Sequence, residues 1–110
     1  MDQAEIDNML QEAKKYDAEK YLAEAVKLLK RNKKIDIDIA DCEWFVVANK
    51  LILKIIYSVN GHTIVLRVVE SVFKDYQRQI DAKIGIKPGM EMRHKIILRL
   101  AYLLYTHRED

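Results

Sequence analysis

The sequence predicts an all-α protein, an up-and-down bundle of four to five helices, on three observations. Residues 2–31 contain no Gly or Pro and are dominated by Ala, Glu, Lys, Leu and Gln, the strong helix formers. Val65, Val68, Val69, Val72, Phe73, Tyr76, Ile80 and Ile84 recur at steps of three and four, the period of a helix with one buried face. Near the end of the chain, Glu91, Lys95, Arg99, Tyr102 and Thr106 form a polar stripe, with Ile97, Leu100, Ala101 and Leu104 opposite it.

Taken in order, the first segment divides into helices at about 3–15 and 18–31. Ile6, Met9, Leu10 and Ala13 form one apolar stripe, and Leu22, Ala25, Val26, Leu28 and Leu29 form another. Asp17 lies between the stripes as an N-cap, and Tyr16 sits in the corner. Residues 33–41 are ambiguous, because Ile35, Ile37 and Ile39 alternate with Asp36 and Asp38 as in a half-buried strand. Over 42–59 the polar residues Glu43, Lys50, Lys54 and Ser58 recur at near-helical spacing, as in a central helix buried nearly all round.

Asn60-Gly61 fits either a type I′ hairpin turn or a helix C-cap followed by a cap at Thr63. The steps that follow favour the cap and a helix over 64–83. Gly85, Pro88 and Gly89 then break the chain before a last helix at about 90–106, and the tail Arg108-Glu109-Asp110 is solvated. The alternative is an α+β domain, with helices 3–31 packed on a sheet of 35–40, 44–59 and 62–73 that includes a hairpin at Asn60-Gly61.

A chain of 110 residues is one domain, 1–110. Half of it is apolar and 33% charged, far from a disordered composition. With 19 basic against 17 acidic residues, bulk charge points to neither nucleic acid nor membrane. The longest run free of Lys, Arg, Asp and Glu extends from Ile55 to Leu66, short of the ~18–20 apolar residues of a membrane span. Asp2, Glu5 and Asp7 are the opposite of a basic, apolar leader, so a cytoplasmic location is expected. Few Gly and Pro with many Ile, Lys and Glu make the composition thermophile-like. A single cysteine, Cys42, rules out an internal disulfide framework and a Cys-based zinc cluster.

Candidate chemistry is sparse. Lys27, Lys30, Arg31, Lys33 and Lys34 place five cations within eight residues, a phosphate-contacting patch or simply charge that complements a helix C-terminus. No aromatic is interleaved for base stacking, which favours the structural role. Asp36, Asp38, Asp41 and Glu43 match no calcium loop and read as acids at a helix N-terminus. Arg99 and His107, eight residues apart on one helix, are the only candidate catalytic pair, a base and a charge stabiliser for phosphodiester cleavage. Helix-end cations explain them equally. Cys42, beside Trp44 and Phe45, reads as an inert core thiol, and Tyr57, Tyr76, Tyr102 and Tyr105 as packing residues. No cofactor motif is present, His62, His94 and His107 are too scattered for a metal site, and nothing demands an enzyme.

The run Ala18-Glu-Lys-Tyr-Leu-Ala-Glu-Ala-Val-Lys-Leu-Leu-Lys, then Ala48-Asn-Lys-Leu-Ile-Leu-Lys-Ile-Ile-Tyr and Gly61-His62, resembles the HEPN superfamily over about 17–105. The resemblance implies a small helical bundle. Its catalytic members carry an Arg, four to six residues and then His, whereas seven residues separate Arg99 from His107. It therefore implies a non-catalytic accessory protein, dimeric or partnered with a nucleotidyltransferase. Between Trp44 and Phe73 only Lys50, Lys54, Arg67 and Glu70 are charged, which leaves more apolar face than a small monomer buries and predicts a homodimer. The expected function is a non-enzymatic interaction protein that dimerises and binds a protein partner. The alternative is a nucleic-acid binder or ribonuclease that uses Lys27 to Lys34 with Arg99 and His107.

Overall fold

The computed structural model describes residues 2–74 and 88–107, with the side chains of 88–92 excepted. The chain is α+β rather than all-α. Helices α1 (Gln3–Ala13) and α2 (Ala18–Lys33) come first, then strands β1 (Ile37–Val47), β2 (Lys50–Val59) and β3 (His62–Val69), and last the helix α3 (Pro88–Thr106). The strands form an antiparallel meander in the order β1-β2-β3. The helices expected over 42–59 and 64–83 are thus replaced by a sheet with its hairpin at Asn60-Gly61. Helical structure resumes only at 71–74, where the Glu70 carbonyl accepts from the N–H groups of Phe73 and Lys74. The remainder of the expected helix, with Tyr76, Gln77, Arg78, Ile80, Asp81 and Ile84, lies outside the described residues, as do Gly85 and the tail 108–110.

The helical thirds of the chain form where expected. Asp2 caps α1 by accepting from the Glu5 N–H at 2.9 Å. A 3-10 turn, Lys14–Tyr16, leads to Asp17, which adopts φ 54° and ψ 44° and makes no side-chain cap. Asp17 therefore starts α2 by its backbone, with its carbonyl accepting from Tyr21, and not by the carboxylate expected of it. Its left-handed backbone redirects the chain between α1 and α2. Buried Tyr21, Leu22, Ala25 and Leu29 form the inner stripe of α2.

Both hairpins turn on two residues at positive φ, as type I′ geometry demands: Ala48 (51°) with Asn49 (63°), and Asn60 (50°) with Gly61 (86°). The second turn is tied to the start of the sheet. The Asp36 N–H donates to Asn60 Oδ1 at 3.2 Å, and the Asn60 N–H to the Asp36 carbonyl at 2.7 Å. The first turn carries an alanine where its Cβ is crowded. Ala48→Gly is expected to stabilise the protein by about 0.5–1 kcal/mol, because it relieves that crowding at a position glycine adopts freely. Urea denaturation with an unchanged m-value is the measurement that checks it.

All the described helices lie on one face of the sheet. From β2, Leu51, Leu53, Ile55 and Tyr57 point into that layer, joined by Leu66 and Val68 from β3 and by Ile96, Leu100, Leu103 and Leu104 from α3. In β1 the register slips between Ile39 and Asp41, a bulge at Ala40 that flips the strand's parity. Ile37 and Ile39 face the core before the bulge, and Cys42, Trp44 and Val46 after it. Tyr16, Trp44 and Phe73 close one end of the core as an aromatic cluster with ring centroids 5.5–5.9 Å apart. Extents of 41 × 38 × 18 Å describe a slab only two layers thick.

Candidate interaction surfaces

Among the described residues no element covers the other face of the sheet, and its residues are far from uniformly polar. Side chains alternate across a strand, so residues paired in register stand in rows on this face. One row is Phe45, Ile52 and Val69, another Asp41, Ile56 and Val65, and between them runs Glu43, Lys54 and Arg67. Phe45, Val47 and Val65 are 39%, 59% and 44% exposed, although β-branched and aromatic side chains of this size gain by burial. Between Phe45, Ile52, Val69 and the stems of Lys50, Lys54 and Arg67 lies a hollow of about 490 Å³. The Lys54 ammonium leans over the Phe45 ring, 5.7 Å from its centroid. The acids of this face stand on β1 and its cations on β2 and β3.

A second exposed apolar stripe runs along α3. Leu98, Tyr102 and Tyr105 are each nearly half exposed and follow steps of four and three, so they share the helix face turned away from the core. Cations flank them: the Arg99 guanidinium lies 5.5 Å from the Tyr102 ring centroid, and Lys33 Nζ 5.3 Å from that of Tyr105.

The cations proposed from the sequence as a phosphate patch stand at the end of α2, mostly engaged with neighbours. Lys27 pairs with Glu24 at 3.6 Å and Lys30 with Asp38 at 3.2 Å, while Lys33 covers Tyr105. Lys34 is the C-cap residue, with a left-handed backbone, and Arg31 is exposed in the last turn. Asp38, Asp41 and Glu43, expected at a helix N-terminus, stand instead on β1, with Asp36 in the loop before it. Among the described residues, no three His, Cys, Asp or Glu side chains converge as metal ligands would.

Arg99 and His107 serve different neighbours. His107 follows the last turn of α3 at φ 57°, with Nδ1 3.0 Å from the Tyr57 hydroxyl. The Tyr57 O–H donates to the Leu104 carbonyl at 3.0 Å. With the phenol proton committed there, His107 Nδ1 carries a proton and donates to the phenol oxygen. This arrangement ties β2 to the end of α3, where helix carbonyls lack intrahelical partners. Nothing in the sequence signals it, since Tyr57 and Leu104 are 47 positions apart. Nor does the sequence signal Glu70, whose carboxylate accepts from the Tyr16 hydroxyl at 2.8 Å.

Cys42 sits half-buried on the inner side of β1, at the floor of a cleft of about 450 Å³ between β1 and α2. Burial pushes its thiol up to about 11, helped by the carboxylates of Glu19 and Asp41. A thiol so shifted is a poor nucleophile at neutral pH. Leu22, Val26 and Ile39 line the cleft together with the charged Glu19, Lys27 and Asp41.

No family model matches the chain, no curated protein matches it, and no solved structure matches it. Among the described residues, no helix is long and apolar enough to cross a membrane. The helical bundle implied by the HEPN resemblance is replaced by three strands under a helical layer.

Proposed function

We propose that this chain is a non-enzymatic interaction protein that self-associates through the open face of its sheet and binds a protein partner along α3. The observation that carries the reading is the pair of apolar surfaces left uncovered on a slab two layers thick. Contiguous exposed apolar patches rimmed by polar groups mark association sites. The surplus of apolar surface that predicts a dimer thus belongs to a sheet face and not to a pair of long helices.

Leu98, Tyr102 and Tyr105 supply one anchor per turn of α3, the spacing with which a helix engages an apolar groove. Arg99 and Lys33 beside them favour an occupant with acidic groups, so the partner is an apolar segment edged with Asp or Glu. Two copies of this stripe would oppose cation to cation, which favours a different chain as its occupant.

Two measurements test the reading. Sedimentation at high-micromolar concentration is expected to give twice the 13.0 kDa chain mass, and only that mass at every concentration would contradict it. Copurification from the native host is expected to yield a stoichiometric acidic partner with the wild-type chain and none with Leu98→Asp plus Tyr102→Asp. The nucleic-acid reading has its own signature: RNA or DNA binding with a log–log salt slope of about −3 or steeper. Such binding, if abolished by Lys33→Glu with Lys34→Glu, would replace the present proposal.

A further inference from the structure

The open sheet face carries a charge pattern that discriminates among the ways a second copy could meet it. Every acid on this face, Asp38, Asp41 and Glu43, is on β1, and every cation, Lys50, Lys54 and Arg67, is on β2 or β3. Four symmetric arrangements of two sheets are available, and they oppose these charges differently.

Edge-to-edge pairing of β1 with its copy would align an antiparallel strand bearing Asp38, Asp41 and Glu43, and no cation, with itself. No register offers an acid of this strand a cation, and registers that set Asp41 opposite Asp41, Glu43 or Asp38 are destabilising. Edge pairing of β3 joins two strands in which Arg67 is the one Lys, Arg, Asp or Glu, so no acid is offered to it. Face-to-face packing with the two-fold axis across the strands sets β1 over β1 and β3 over β3, again like on like.

Face-to-face packing with the two-fold axis along β2 is different. It reverses the strand order in the partner, so that β1 of one copy lies over β3 of the other. The row Glu43, Lys54, Arg67 then meets its own reverse. Glu43 of each copy faces Arg67 of the other, twice per dimer, while the apolar row of Phe45, Ile52 and Val69 closes on itself with Ile52 at the centre. Lys50 and Lys54, both on β2, each meet their own copy: the Lys54 ammonium groups lean apart, each toward its own β1 over Phe45, and Lys50 stands at the end of the strand. We infer that the sheet's open face is a dimer interface in which a second copy of this chain packs face to face about a two-fold axis along β2, with Glu43 of each copy on Arg67 of the other.

The size of the face sets the strength. Three strands about 4.8 Å apart and about 10 residues long cover a flat area on the order of 500 Å². Two such faces reach about 1,000 Å² in total, the lower limit for a specific interface, so a micromolar dimer is expected. This also predicts a dimer that dissociates on dilution.

The inference rests on the self-association proposed above, and sedimentation separates the two. With wild-type protein dimeric at high-micromolar concentration, Ile52→Asp is expected to give monomer. Glu43→Arg and Arg67→Glu are each expected to weaken the dimer at least tenfold, and the double variant Glu43→Arg with Arg67→Glu to recover most of that loss. These two positions are at the surface, so the charge series remains informative should Ile52→Asp fail to fold. Single reversals that leave the dimer unchanged, or a double variant that recovers nothing, would overturn this geometry while leaving self-association standing. A dimer lost on Leu98→Asp and retained by a folded Ile52→Asp would overturn it too, by moving the interface to α3. A wild-type chain that stays monomeric would remove both the interface and the self-association it serves.

Discussion

Phe73→Ala is expected to lower the free energy of unfolding by about 3–5 kcal/mol, the range for removing a fully buried aromatic ring. Phe73 is wholly buried and lies edge-on to Trp44 at 5.5 Å and tilted against Tyr16 at 5.9 Å. Tyr16 enters from the corner before α2, Trp44 from β1 and Phe73 from the helical turn after β3, so the cluster joins three separate parts of the chain at one end of the core. Its loss also leaves a cavity that rigid neighbours do not fill. For a chain of this length the melting temperature should fall by about 10–25 °C. Calorimetry checks this. A fall of only a degree or two would mean that the ring contributes nothing beyond filling space that others can fill.

Tyr57→Phe tests the tie between the sheet and α3, and it should do so with a distinctive pH dependence. At neutral pH the variant leaves the Leu104 carbonyl without its donor in a buried setting, a loss of about 1–3 kcal/mol. Burial also pushes the Tyr57 hydroxyl from 10.0 up to about 12. A raised pKa on a neutral acid means that the folded protein holds a proton the unfolded chain gives up. The contribution of Tyr57 is therefore complete below pH 10 and is lost as pH rises toward 12, by roughly 2–3 kcal/mol for a shift of this size. Phenylalanine has no proton to lose. The stability gap between wild type and Tyr57→Phe should then narrow above pH 10 and close near pH 12. Urea titrations at intervals from neutral to alkaline pH measure it, and a gap constant with pH would show that the hydroxyl is not buried in the way described.

Residues 42–73 carry a spacing that a helix and a strand both satisfy. Lys50, Lys54 and Ser58 are four apart, and a step of four returns to the same face of a helix and also, being even, to the same face of a strand. Val65 and Val69 share that ambiguity. What separated the two readings were Ile64 and Leu66, which face inward with Val68 in steps of two. The abundance of Val and Ile, whose branched side chains suit strands, also pointed that way. In β1 the bulge at Ala40 flips the parity from Ile39 to Cys42, so no single alternation runs through the strand. The turn at Ala48-Asn49 went unseen because alanine is not a residue that favours positive φ.

The candidate surfaces were legible only in part. An excess of apolar surface between Trp44 and Phe73 can be read from composition, because only four charges interrupt it. Which face it occupied could not be read, because burial depends on what packs above it. Along α3, Tyr102 falls on the polar stripe by spacing alone, but Leu98 and Tyr105 beside it stand outward only because Ile96, Leu100, Leu103 and Leu104 take the inward positions.

By itself the sequence determined the elements whose signals are local. The helices Gln3–Ala13 and Ala18–Lys33, the corner at Tyr16 and the last helix follow from propensity, capping and a stripe read within a few turns. The type I′ option at Asn60-Gly61 is likewise written in two adjacent residues. Tertiary structure decided the rest. A strand is stable only when its backbone groups find partners on another strand, so the choice between helix and sheet over 37–69 was settled by pairings up to 22 positions apart, such as Ile37 with Val59. The same holds for Tyr57, whose hydroxyl serves the end of a helix 47 positions away. It holds as well for the uncovered sheet face, which exists because every described helix docked on the other side.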